Sequence, residues 1–139
     1  MPESTRTRKT ITLAAAEAVV RRAREEAENM GKAMVIAVTD ESGNLVSFSR
    51  MDGAPLLSVD IAVDKAYTAI GFGIPTHQWH DFVKDDPPLA QGHSHIKRLV
   101  IFGGGYPLVV DGQIVGGIGV SGGHYSEDMK VAEAGVSAL

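Results

Sequence analysis

The sequence predicts an α+β fold: a central antiparallel sheet of about five strands with helices packed on both faces, in a single domain. Three observations carry this. Apolar residues recur at helical spacing near both ends of the chain, over 12–30 and 125–139. Two Val- and Ile-rich stretches each straddle a turn-forming cluster, Asp40 to Asn44 and Asp111-Gly112, as hairpins do. The order is helix, hairpin, helix, loop, three strands, helix. At 139 residues and 44% hydrophobic composition, the chain can bury a core without staples.

Residues 1–10 carry Arg6, Arg8 and Lys9 without apolar patterning and read as a flexible, solvated N-terminal arm. From Thr12 to Met30, Leu13, Ala16, Val20, Ala23, Ala27 and Met30 form one apolar stripe. Thr10 or Thr12 can cap that helix, and Gly31 can end it in a left-handed conformation. Strands over 33–39 and 45–51 flank the first turn. In the second, Val46, Phe48 and Arg50 alternate with Leu45, Ser47 and Ser49. Arg50 and Asp52 look like a strand-end ion pair.

A second helix is predicted over 57–72, closed by Gly71 and Gly73, with Lys65 among apolar neighbours and Asp60, Asp64 or Asp128 as its expected partner. Ile74-Pro75-Thr76 then gives a rigid break before a short helix. Residues 84–95 hold Asp85, Asp86, Pro87, Pro88 and Gly92 and read as an irregular loop. "KRLVIFGGGYPLVVDGQIVGGIGVSGG" reads as strand, glycine turn, strand, Asp-Gly turn, strand. A last helix over 125–139 places Met129, Ala132, Val136 and Leu139 on one side.

The net charge of -4 argues against a nucleic-acid partner, because phosphate contacts need clustered Lys and Arg. Absence of cysteine removes disulfides, thiolate nucleophiles and iron-sulfur clusters. The chain shows neither a signal core nor an apolar run of bilayer length, so the expectation is a cytoplasmic protein with no membrane partner.

Four of the five histidines fall in "HQWHDFVKDDPPLAQGHSH". His77 and His80 are one helical turn apart, and His93 and His95 share a face if that stretch is extended. The two pairs could converge on a divalent metal such as Fe, Zn or Mn, or line a pocket mouth with Trp79 as an aromatic wall. Gly117 to Gly122 matches the dinucleotide fingerprint G-x-G-x-x-G, but the chain lacks the second parallel strand and distal acid, so NAD is not expected. Gly119 to Gly123 matches the nucleophile elbow G-x-S-x-G around Ser121 without the later acid and histidine. The simpler reading is a turn at Ser121, Gly122, Gly123 and His124 whose bare amides cradle a carboxylate.

Taken together, "VTDESGNLVSFSRMDGA", "KAYTAIGFGIPT", "FGGGYPLVVDGQIVGGIGVSGG" and "EDMKVAEAG" resemble the GlcG/HbpS family of haem-binding and haem-degrading domains, related to the C-terminal domain of PduO-type proteins. The resemblance spans almost the whole chain. It implies an α+β subunit that assembles into dimers or larger rings such as octamers and binds haem between subunits, in some members with oxidative haem breakdown or iron sensing. The helix-borne histidine that ligates haem in some relatives has no counterpart here, since the first helix contains none. Where relatives commonly continue "SGG" with threonine, this chain has His124 and Tyr125.

The leading expectation is therefore a haem- or iron-associated homo-oligomer with a small-molecule pocket at a subunit interface. Its site combines the turn at residues 121–124 with the loop from 76 to 95. His124, Tyr125 or His77 would supply the axial donor, and Phe72, Ile74 and Trp79 the apolar walls. An alternative is a catabolic enzyme using His77, His80, His124 and Tyr125, with or without a metal, on a carboxylate or aromatic substrate. Another is a non-catalytic oligomeric binding module.

Overall fold

The computed structural model describes all of residues 1–139. Helix α1, Leu13–Asn29, begins where the Thr12 hydroxyl accepts the Ala15 amide hydrogen at 3.1 Å, and the chain turns out of it at Gly31, φ +68°. Strands β1, Val35–Asp40, and β2, Leu45–Arg50, form the first hairpin. Its turn is built by Asp40 Oδ1, which accepts the amides of Ser42 and Asn44, each at 2.9 Å. Helix α2, Ser58–Phe72, closes at Gly73, φ +71°. Short helices α3, Trp79–Val83, and α4, Pro87–Gly92, follow. Strands β3, Gly105–Val110, and β4, Gln113–Ser121, are joined through Asp111 and Gly112 at φ +51° and +76°, the signs a type I′ turn requires. Helix α5, Tyr125–Val136, ends the fold.

The sheet has four antiparallel strands in the order β2-β1-β4-β3. Alternation along β1 splits the core. Ile36 and Val38 join Ile118 and Val120 under α1 and α5, while Val35 and Ala37 pack with Ala54 and Ala62 on the α2 side. Register explains the glycines of β4: Gly117 and Gly119 pair with Thr39 and Ala37 and lie directly beneath α2. A Cβ on Gly119 would overlap the Ala62 carbonyl oxygen and sit 2.6 Å from the Ala66 nitrogen, so the dinucleotide-like spacing is a smooth seat for a helix.

Four expectations are corrected. The sheet has four strands, not five, because residues 97–102 form none. Their backbone bonds instead to α2: the Thr68 hydroxyl donates to the Arg98 carbonyl at 2.7 Å and accepts the Val100 amide at 3.0 Å. Residues 84–95 are not an irregular loop, since Asp86 caps α4 through the Leu89 amide at 3.3 Å and Pro87 occupies its first turn. Arg50 forms no ion pair with Asp52 and donates to the Ala54 carbonyl at 3.0 Å. The last helix stops at Val136 rather than Leu139 and buries Asp128, Val131, Ala132 and Gly135. No helix is long and apolar enough to cross a membrane.

Candidate functional site

His77, His80, Ile101, Phe102, Gly103 and Tyr125 line a pocket of about 420 Å³. His77 lies on the 3₁₀ turn Thr76–Gln78 that follows Pro75, and His80 on the first turn of α3. Tyr125 is the first residue of α5. The Thr76 hydroxyl accepts the Gly105 amide hydrogen at 2.9 Å, tying the histidine turn to the start of β3. The His77 ring packs edge-on against Tyr106 at 5.6 Å, and its Nδ1 is buried without a hydrogen-bond partner. An unpaired buried ring nitrogen is costly unless a ligand or water completes it. The Tyr106 hydroxyl donates to Glu133 Oε1 at 2.7 Å; burial and that carboxylate hold the phenol far above its ordinary pKa.

Behind the pocket lies a fully buried ion pair. Lys65 Nζ donates to Asp128 Oδ2 at 2.9 Å and to the Val120 carbonyl at 2.8 Å, and it sits 5.0 Å from the centre of the Phe102 ring. The sequence left three acids open to Lys65; the fold selects Asp128 and gives Asp64 to Arg98 at 2.9 Å. Burial lowers the Lys65 pKa and raises that of Asp128, while their mutual attraction opposes both shifts. Gly104, φ +124°, passes so close that a Cβ there would lie 2.7 Å from Lys65 Nζ. The pair thus connects α2, the end of β4, α5 and the pocket-lining turn 101–104.

The amides of the 121–124 turn do cradle carboxylates, but those of the chain itself. Gly123 N–H donates to Asp128 Oδ1 and His124 N–H to Glu127 Oε1, each at 3.0 Å. His124 is the N-cap of α5: its Nδ1 accepts the Ser126 amide at 3.2 Å, and Glu127 completes a capping box. Its ring packs against that of Tyr125, centroids 4.1 Å apart and planes tilted by 38°, and does not itself line the pocket. Ser121 is buried at the end of β4 and has no basic partner. A histidine cap was readable in "HYSE" by its glutamate alone.

The His124 amide, with Lys32 at 3.5 Å, holds Glu127 below its ordinary pKa. A depressed folded-state value means stabilisation present above the unfolded pKa and lost as pH falls through the folded one. Urea midpoints should therefore drop on acidification below pH 4.5 in the wild type and drop less in Glu127→Gln. Equal acid slopes would remove Glu127 from the acid response.

The remaining predicted residues lie elsewhere. Phe72, Ile74 and Trp79 line a second pocket of about 500 Å³ with Phe82, Leu89 and Ile96, sharing no residue with the histidine pocket. His93 and His95 occupy a 3₁₀ turn following α4 rather than an extended segment. No three His, Asp or Glu side chains gather as a metal shell; of the two arrangements open to His77, His80, His93 and His95, the first two line a pocket, and α4 lies between them and the last two.

Residues 11–137 match the family model described as haem degrading protein HbpS-like. An uncharacterised 15.0 kDa protein from the dhaT-dhaS intergenic region of Citrobacter freundii is 38% identical over 94% of this chain and 92% of its own length. The crystal structure of the Klebsiella pneumoniae protein ORFY superposes with a TM-score of 0.94 at 32% identity, covering 99% of this chain and 96% of that one. A PduOC:heme complex superposes with a TM-score of 0.87 at 33% identity, covering 94% and 95%.

Proposed function

The chain belongs to the HbpS-like family, and on that premise we propose that it binds haem in the pocket formed by His77, His80, Phe102 and Tyr125. The observation that carries this reading is a pocket lined by two imidazoles and a phenol, those of His77, His80 and Tyr125. These are the donor types that hold haem iron in proteins. The volume of about 420 Å³ lies within the range of small-molecule sites, roughly 300–1,000 Å³. Phe102 contributes an apolar wall.

In this reading His77, His80 or Tyr125 would hold the haem iron. Tyr106 braces the His77 ring from behind, and the Thr76–Gly105 hydrogen bond fixes the turn that carries it. Bound haem would supply an iron whose potential and reactivity follow from the side chain that holds it and the polarity of the pocket. Phe102 and Tyr125 remain about half exposed, at 46% and 47%, and a second copy of the chain covering them would exclude water from the ligand. His124 acts through Tyr125, and the second pocket with Phe72, Ile74 and Trp79 is left free.

The test is an absorbance titration of the purified protein with haemin, carried past one equivalent per subunit, with an unrelated acidic protein as blank. A Soret band that saturates at a defined stoichiometry is expected. Weak absorbance that grows without saturation and matches the blank would overturn the proposal.

A further inference from the structure

We propose that Lys65 is a positioning residue of the histidine pocket: its buried ammonium sets the wall of that pocket through Phe102 and Gly104. The ligand side of this inference rests on the haem reading above, while its geometry stands without it. Lys65 is completely buried and does not line the pocket, so it touches no ligand there. Its ammonium has three N–H donors. Two go to Asp128 Oδ2 at 2.9 Å and the Val120 carbonyl at 2.8 Å, and the third has no oxygen or nitrogen acceptor. Nζ lies instead over the Phe102 ring, 5.0 Å from its centre. That ring lines the pocket and is about half exposed. A desolvated cation attracts a ring more strongly than an exposed one does, and this attraction holds the Phe102 side chain in one place.

The backbone that follows is tied to the same point. Gly104 passes Nζ at a distance that only glycine allows, since a Cβ there would lie 2.7 Å from Nζ and 2.6 Å from the Val120 carbonyl oxygen. The Gly104 carbonyl accepts the Val120 amide hydrogen at 2.9 Å, and the Gly105 amide donates to the Thr76 hydroxyl at 2.9 Å. Val120 is thus bonded through its amide to the turn and through its carbonyl to the ammonium. Gly103 is wedged between α5 and the histidine turn: a Cβ there would sit 2.6 Å from Met129 Cγ and 3.3 Å from His77 Cβ. A shift of residues 102–104 therefore moves the wall relative to His77 and to the first turn of α5, which carries Tyr125.

Stability alone does not call for charge at this place. A buried ion pair can often be replaced by apolar residues of similar volume with no loss of stability, although removing one partner alone is costly. Methionine at 65 and leucine at 128 would fill the space, yet neither can donate to the Val120 carbonyl or hold the Phe102 ring by its charge. What the pair adds over an apolar core is the fixed position of the pocket-lining turn.

The test is the full chain carrying Lys65→Met together with Asp128→Leu, read in three ways. Its urea midpoint should stay close to that of the wild type. Amide hydrogen exchange at Gly105 and Val120 should quicken about tenfold, the weight of one buried hydrogen bond or cation–π contact, while the Met51 amide, bonded to the Met34 carbonyl at 3.0 Å, keeps its wild-type rate. Haemin should bind about tenfold more weakly for the same reason. Phe102→Leu, at an exposed position, keeps the ion pair and removes the ring; it should weaken haemin similarly and leave exchange at Gly105 and Val120 unchanged. Wild-type exchange at Gly105 and Val120 in the double variant would overturn the proposal, and so would wild-type haemin affinity in either variant. A double variant that does not fold would overturn it too, because the pair would then serve the fold before the pocket. If the wild type itself binds no haemin, the haem reading fails, and the exchange rates still decide the role of Lys65.

Discussion

Lys65→Met should lower the free energy of unfolding by about 3–5 kcal/mol, the cost of leaving a buried charge without its partner. Lys65 is completely buried, and Asp128 is 2% exposed. Removing the ammonium leaves Asp128 Oδ2 facing the vacated space and strips the Val120 carbonyl of its donor. The pH response identifies the cause. Burial already raises the Asp128 pKa above 3.8 while Lys65 opposes the rise, so the variant raises it further. A group with a raised folded-state pKa stabilises below its unfolded value and loses that stabilisation as pH rises through the folded one. The variant should therefore recover part of its deficit as pH falls from neutrality toward 3.8, measured as urea midpoints at a series of pH values. The double variant Lys65→Met with Asp128→Leu should recover most of it at all pH values. A single variant with wild-type stability would show that the pair is not the tie between α2 and α5 described above.

Gly119→Ala should cost about 3 kcal/mol, the upper end of the usual overpacking range. The added methyl meets backbone, the Ala62 carbonyl and the Ala66 nitrogen, and backbone in a helix cannot rotate away. Helix α2 would have to lift from the sheet, loosening the Val35, Ala37 and Ala62 cluster and the Thr68 bonds that hold residues 98–100. Gly71→Ala is the matched control. It lies in α2 with nothing within 4 Å of its added carbon, and it should be neutral or stabilising by up to about 1 kcal/mol. Similar losses at both positions would mean that the close approach beneath α2 does not set the cost at Gly119.

What the sequence made legible is what short-range chemistry decides. The Thr12 cap, the Asp40 turn, the Asp111-Gly112 hairpin and the Gly73 stop each depend on residues within a few positions, and each forms. The missing fifth strand depends on Thr68, thirty residues from Arg98 in sequence, whose hydroxyl takes the hydrogen bonds that an apolar run would otherwise give to a neighbouring strand. Asp86-Pro87 carried a helix-start signature that two adjacent prolines disguised as a breaker. The choice of Asp128 over Asp60 or Asp64 for Lys65 spans 63 positions and follows only from packing α5 beside α2.

The site was half legible on the same grounds. His77, His80 and Tyr125 share a pocket, as the reading of the histidine segment and the "SGG" substitution suggested. Ile101 and Phe102 give no sequence signal of lining it because their apolar run reads as a strand, and Gly103 because it reads as part of a turn. His124 and the glycine turn looked like ligand groups from their spacing, yet Asp128 and Glu127 already occupy the amides. One pocket walled by Phe72, Ile74 and Trp79 became two, because the turn of α3 places Trp79 and His80 in different cavities.

The most direct test of the haem reading compares the absorbance spectra of haemin complexes of the wild type, His77→Ala, His80→Ala, Tyr125→Phe and Phe82→Ala. The account predicts that at least one of the first three loses or shifts the Soret band while Phe82→Ala keeps the wild-type spectrum. Wild-type spectra and saturation in all of the first three would contradict it, because the iron would then be held somewhere other than the His77, His80 and Tyr125 pocket.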